Sequence, residues 1–223
     1  MASFAEQRKN MVESQVRTSD VTDRRIIAAL LDVPREIFVP EAIRPLAYMD
    51  GSLRLIAGSV MGPERSIMEP RLFARLLDLA NIQKADRVLD VGAGTGYSAA
   101  VLSRLAGHVI ALEAEADLVS AAEKVFAELK PANVRVVKGG LAAGWAEAAP
   151  YDVIVLEGSV TEVPETLLNQ LNEGGRLLAI ENSRGHGRAV IWRRFGTSFD
   201  RRISFDASAT ALPGFDKSPA FQL

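Results

Sequence analysis

The sequence predicts an α/β fold, a doubly wound and mostly parallel sheet with a helical N-terminal appendage. Three observations carry this expectation. Between Arg87 and Ile180, short apolar runs rich in β-branched residues alternate with helical patterns, the order that builds a parallel sheet covered on both faces through right-handed crossovers. At Val88-Leu89-Asp90-Val91-Gly92-Ala93-Gly94-Thr95-Gly96-Tyr97, a strand-like run enters a helix-like one through three glycines at alternate positions. After Gly187 the helical pattern stops, and 188–195 and 201–206 read as antiparallel edge strands joined by Gly196-Thr197-Ser198.

The elements follow in order. Residues 2–31 read as two helices: Met11, Val12 and Val16 form a stripe in the first, and Ile26, Ile27, Leu30 and Leu31 one in the second, after the N-cap-rich Asp20-Val21-Thr22-Asp23. Pro34, Pro40 and Pro45 break the next stretch into turns and short helical pieces, and 48–60 reads as a surface loop. Ser66-Ile67-Met68-Glu69-Pro70 opens a helix to about Leu79, with Pro70 in its first turn and Ser66 with Glu69 as a capping box. Strand 87–91, helix 97–105, strand 108–112, helix 116–129, strands 134–137 and 151–156, helix 164–171 and strand 176–180 complete the alternating series. Six arginines between Arg184 and Arg202 read as charges that protect sheet edges, and Trp192 and Phe195 as core. His108, opening a strand, and His186, between two glycines, read as structural residues.

Composition narrows the class. A chain of 223 residues that is 48% hydrophobic suits one domain with an appendage; the expected division is a substrate-facing segment, 1–80, packed on a cofactor-binding domain, 81–223. No apolar run reaches the roughly 18 residues of a spanning helix, and Met1-Ala2-Ser3-Phe4-Ala5-Glu6-Gln7-Arg8-Lys9 lacks the apolar segment of a secretory signal. With no cysteine there is no disulfide, thiol nucleophile or thiolate metal site, and the cytoplasm is the expected compartment. A net charge of −2 gives no general attraction to nucleic acid or anionic membrane. No unmatched apolar face argues for an obligate assembly, so a monomer or weak oligomer is expected.

The glycine loop carries the chemistry. A glycine turn between strand and helix lets a ligand approach the backbone and points the free N–H groups of the helix at it. The P-loop pattern fails, since no Lys-Ser/Thr pair follows the last glycine, and the dinucleotide fingerprint fails because Gly96 is two residues after Gly94 rather than three. The next apolar run, His108-Val109-Ile110-Ala111-Leu112, ends in Glu113, about 20 residues past the first glycine, the spacing at which an acid meets vicinal ribose hydroxyls. The alternatives are a glycine turn that binds nothing and an exposed acid that opens the next helix.

Asp90-x-Gly92-x-Gly94-x-Gly96 resembles the cofactor loop of S-adenosylmethionine-dependent methyltransferases. Leu31-Asp32-Val33-Pro34-Arg35-Glu36-Ile37-Phe38-Val39-Pro40, with Leu46-Ala47-Tyr48-Met49-Asp50, is similar to the signature of protein-L-isoaspartate O-methyltransferases. Pro150-Tyr151-Asp152-Val153-Ile154-Val155, Pro164-x-x-Leu167-x-x-Gln170-Leu171 and Glu173-Gly174-Gly175-Arg176-Leu177 extend the resemblance from about Met11 to Pro213. It implies a seven-stranded Rossmann-like methyltransferase fold and S-adenosylmethionine as cofactor. The implied reaction is methyl transfer to the side-chain carboxylate of isoaspartyl residues in damaged proteins, a repair step. It places Asp90, Gly92, Ala93, Gly94, Gly96, Tyr97, Glu113, Ala114, Gly139, Gly140, Leu141 and Glu157 around the cofactor, and Ser66, Met68 and Glu69 at the acceptor. No metal is implied. Three departures stand out. Met68 occupies the place of the family's acceptor-site serine, the stretch between Asp50 and Ser66 is longer, and Lys138-Gly139-Gly140 replaces the usual Gly-Asp at the adenine. These leave open a methyltransferase with another acceptor and a cofactor-binding relative without activity.

Overall fold

The computed structural model describes residues 2–56, 64–183 and 185–215; Val60, the end of the expected loop, and Arg184 lie outside them. The chain opens with α1 (Phe4–Met11), which runs on through a π turn, Val12–Val16, and a 3₁₀ turn, Arg17–Ser19. Ser3 and Glu6 cap α1 reciprocally. Helix α2 (Arg24–Asp32) is capped by Asp23, whose carboxylate accepts the Arg25 N–H at 2.7 Å. The proline-rich stretch forms two 3₁₀ pieces, Arg35–Phe38 and Glu41–Leu46.

Two expectations are overturned next. Part of the expected loop is a strand, β1 (Leu53–Ile56), paired antiparallel with β2 (Arg65–Ile67) in a two-stranded sheet of its own. The expected capping box does not form: Ser66 lies in β2, and its hydroxyl pairs with Thr210 Oγ1 at 2.7 Å. Helix α3 (Pro70–Ala80) instead starts after Glu69 without a side-chain cap, with Pro70 in its first turn as expected.

The alternating series then follows: β3 (Arg87–Val91), α4 (Tyr97–Leu105), β4 (His108–Glu113), α5 (Ala116–Leu129), β5 (Val134–Lys138), β6 (Tyr151–Val160), α6 (Glu165–Leu168), β7 (Leu171–Ser183), β8 (His186–Phe195) and β9 (Ser198–Asp206). Helix α6 is a single turn, shorter than the expected 164–171, because the chain has already entered β7 at Leu171. The strands form one sheet of order β5-β4-β3-β6-β7-β8-β9, parallel from β5 to β7, with β8 and β9 antiparallel. The chain leaves β3 toward β4 on one side and returns to β6 on the other, so the C-terminal tip of β3 is the switch point where open α/β sheets bind ligands.

Strand alternation divides the core. Val88 faces a cluster that includes Met11, Leu30, Phe38, Phe73, Tyr97 and Leu102. Its neighbour Leu89 faces the opposite cluster, with Leu112, Ile154, Leu167, Leu177 and Leu212. The N-terminal helices therefore share one continuous core with the sheet. Phe195 is a correction, being 55% exposed at the far end of β8, while Trp192 packs against the second cluster and donates its indole N–H to Glu181 at 2.9 Å. Two arginines of the basic edge are paired with carboxylates: Arg201 meets Glu181 at 2.5 Å, and Arg188 lies 3.7 Å from Asp206.

Candidate active site

The glycine loop adopts the backbone that its residues were expected to permit. Gly92, Gly94 and Gly96 have φ of +84°, +58° and +94°, values that side chains strain to adopt. Space is equally restrictive: an added Cβ at Gly92 would lie 2.8 Å from Leu212 Cδ2, and one at Gly94 2.8 Å from Leu55 Cδ1. Leu55 belongs to β1, so the small hairpin sits directly on the loop.

Parallel register sets Val91 of β3 beside Leu112 of β4, bringing Glu113 next to the loop. Its carboxylate is fully buried, and it accepts the Gly94 N–H at 2.8 Å, the Ala114 N–H at 2.8 Å and the Glu115 N–H at 3.1 Å. The fourth partner was not legible in the sequence. Arg65 of β2 grips both oxygens, Nη1 to Oε1 at 2.7 Å and Nη2 to Oε2 at 2.8 Å, while Nη2 also reaches the Gly92 carbonyl at 3.0 Å. Arg65 is itself only 2% exposed. A pair 48 positions apart in sequence, made by a three-residue strand at the point where a helix was expected to open, has no local signature.

Behind the loop lies a buried polar cluster. Asp90 Oδ2 accepts the Ser98 hydroxyl at 2.6 Å, and Oδ1 has no partner. Burial pushes the Asp90 carboxyl up to about 7; the Ser98 hydrogen bond opposes the rise and the Glu113 charge adds to it. Burial, reinforced by Asp90, holds the Glu157 carboxyl well above the usual range, with Arg35 pulling the other way. The Arg35 guanidinium lies 4.6 Å from the Tyr97 ring centroid and donates to the carbonyls of Ala47 at 2.9 Å and Met68 at 2.8 Å. A residue of the proline-rich signature thereby fixes the backbone at Met68.

Alternation along β2 sends Arg65 toward Glu113 and Ser66 the other way. Ser66, Met68 and Glu69 are brought together, with Ser52, Glu157 and Thr210, around a cavity of about 290 Å³. Glu157, expected beside the cofactor, thus lines the same cavity as the three acceptor candidates. Ser52 and Thr210 were not singled out from the sequence, and no motif marks either. The Glu69 carboxylate is tied to Arg71 Nε at 2.9 Å. On the other side of Glu113, Gly139 N–H donates to the Glu113 carbonyl at 3.0 Å and Leu141 is buried. Among the described residues, no group of three or more His, Cys, Asp or Glu could hold a metal ion, and no helix is long and apolar enough to cross a membrane.

The residue set fits an adenosyl cofactor in kind. A glycine loop at positive φ, an acid held by three backbone N–H groups and by Arg65, and an unpartnered Asp90 oxygen converge at the switch point.

Comparison with known proteins agrees with this geometry. A family model for protein-L-isoaspartate(D-aspartate) O-methyltransferase matches residues 6–197. A Rhodopseudomonas palustris protein named protein-L-isoaspartate O-methyltransferase is 42% identical over 168 residues, covering 75% of this chain and 74% of the relative. One of the same name from Koribacter versatilis is 38% identical over 178 residues, 80% of this chain and 78% of the relative. A solved structure of a protein-L-isoaspartate O-methyltransferase superimposes with a TM-score of 0.83 at 28% identity, covering 93% of this chain; the chain spans 66% of that protein's length. A Plasmodium falciparum structure described as a putative member in complex with S-adenosyl-L-homocysteine shares the fold, with a TM-score of 0.78 at 21% identity over 98% of this chain and all of that one. The chain belongs to the protein-L-isoaspartate(D-aspartate) O-methyltransferase family.

Proposed function

We propose that this chain is an S-adenosylmethionine-dependent carboxyl methyltransferase that esterifies the side-chain carboxylate of isoaspartyl residues in damaged proteins. The observation that carries the reading is the placement of Ser66, Met68 and Glu69 around one cavity, on the strand and turn that abut the Gly92–Gly96 loop and Glu113. In this reading segment 1–80 presents half of the acceptor wall, with Ser52, Ser66, Met68 and Glu69, and 81–223 supplies the other half and holds the cofactor. Glu113 takes the ribose hydroxyls, the loop passes under the rest of the nucleoside, and Gly139, Gly140 and Leu141 border the adenine.

The bound cofactor supplies a methyl group already activated by its sulfonium charge. The chain then has little proton chemistry to perform, because an acceptor carboxylate is ionised near neutral pH and needs no general base. Its task is to hold acceptor and methyl in line and keep water out. The cavity suits an anionic acceptor better than its sequence implies. Arg71 offsets the Glu69 charge, and burial raises the Glu157 carboxyl well above the usual carboxylate range, which weakens its repulsion of an anion. The Ser66 and Thr210 hydroxyls pair with each other, either being able to donate, so one hydroxyl proton of the pair is left for the wall where Met68 has none.

Incubation with methyl-labelled cofactor and an isoaspartyl peptide, beside its normal aspartyl twin, tests the proposal. Label is expected in the isoaspartyl peptide alone. Equal labelling of the twins, or none, overturns it. Met68 at the serine position favours a second reading, a different carboxylate as acceptor; labelling of small carboxylic acids in preference to the peptide would establish that reading.

A further inference from the structure

The Glu113 carboxylate is saturated. Five N–H donors converge on its two oxygens: both arms of the Arg65 fork and the backbone N–H groups of Gly94, Ala114 and Glu115. A carboxylate offers about four lone-pair sites, so no acceptor capacity remains for a pair of ribose hydroxyls. The three backbone donors belong to the loop and the entry to α5 and cannot leave without dismantling the sheet tip. Arg65 can. It stands on a three-residue strand of a two-stranded sheet that shares no strand with the seven-stranded one, and Leu55 of the same hairpin covers Gly94.

We propose that Arg65 is a resident competitor for the cofactor, holding Glu113 until the ribose hydroxyls displace it, and that its departure moves the acceptor wall. The inference rests on the cofactor reading above and goes beyond it in two respects. Cofactor affinity is set by an exchange of partners on Glu113 rather than by filling an open site. An apparent dissociation constant is weakened by the fraction of molecules whose site is closed. Acceptor and cofactor sites are also coupled through one short strand: Ser66 follows Arg65 in β2, and both Ser66 and Met68 line the acceptor cavity. A hairpin that withdraws from Glu113 must carry Ser66 with it, so occupation of one site reshapes the other. The exchange is a swap of hydrogen-bond partners with no covalent step, and the guanidinium keeps its charge throughout.

Titration calorimetry with S-adenosylhomocysteine tests the proposal on the wild type, Arg65→Gln, Arg65→Ala, Glu113→Gln and Arg65→Gln/Glu113→Gln. The Arg65 variants are expected to bind about tenfold or more tightly than the wild type. The same substitution in the Glu113→Gln background is expected to give no gain, because the contested acid is absent. Loss of Arg65 strands a buried carboxylate, so a wild-type measurement accompanies the variants in case they fold poorly. Hydrogen exchange on saturation with S-adenosylhomocysteine should speed at Ile56 and Ile67 while slowing at Gly94 and Ala114. If the wild type binds and the Arg65 variants bind equally or more weakly, or if exchange in β1 and β2 is unchanged on saturation, the proposal is overturned and the cofactor reading stands. Absence of binding by every form overturns both.

Discussion

Glu113→Ala lowers the free energy of unfolding by about 3–5 kcal/mol, the loss typical of breaking a fully buried ion pair from one side. The substitution leaves the Arg65 guanidinium, 2% exposed, without its counter-charge, and it removes the acceptor of three backbone N–H groups. The attraction between the two charges is only part of this figure. The rest is the cost of leaving the guanidinium unpaired, or of moving the β1–β2 hairpin to bring it to water, and of leaving the three backbone N–H groups without an acceptor. Replacing both partners with apolar residues of similar volume, Arg65→Met with Glu113→Leu, is expected to restore most of the stability, since a buried pair is often no better than a packed apolar one. Urea denaturation of the three proteins measures this. A loss below about 1 kcal/mol for Glu113→Ala, the range of solvent-exposed pairs, would contradict a buried pair.

Asp90→Asn has the opposite sign and depends on pH. The folded protein holds the Asp90 proton up to about 7, because burial strips the ionised form of its hydration, whereas the ordinary value is 3.8. Between those limits the folded state binds more protons than the unfolded chain, so wild-type stability falls as pH rises from about 4 to about 7 and stays lowered above it. Asparagine carries no ionisable proton and keeps an oxygen for the Ser98 hydroxyl. The variant is therefore expected to lose this slope and to exceed the wild type by about 2–4 kcal/mol at pH 8, with little difference near pH 4. Glu157 adds to the same trend, and because the Asp90 charge reinforces its rise, Asp90→Asn relieves part of that contribution too, which widens the gap at pH 8 in the same direction. Denaturation midpoints for both at pH 4.5, 6 and 8 check it; parallel curves would show that Asp90 does not carry the buried charge.

Much of the site was legible because its signals are local. Three glycines at alternate positions mark a backbone that must run at positive φ, and the run ending in Glu113 lies one βα unit further on. The strands and helices from Arg87 to Leu129 are likewise set by periodicities of a few residues. The errors cluster where distant segments decide. Ser66 has the chemistry of an N-cap and Glu69 the right spacing, yet Ser66 is drawn into β2 by pairing with Arg54 and by Thr210, 144 positions away. Four residues, Leu53 to Ile56, are too few to show a strand period, so β1 read as loop. Arg65 lies between the expected loop and the expected helix, and an arginine there carries no sign that it is buried on an acid. Phe195 failed for a simpler reason: apolar character does not say on which side of a sheet edge a residue emerges.

The most direct test of the cofactor site is a crystal structure of the protein with S-adenosylhomocysteine bound. The ribose hydroxyls are expected on Glu113, the nucleoside over the Gly92–Gly96 loop, and Arg65 withdrawn from the carboxylate. A ligand bound elsewhere, or one bound while Arg65 still grips both oxygens of Glu113, would contradict the account.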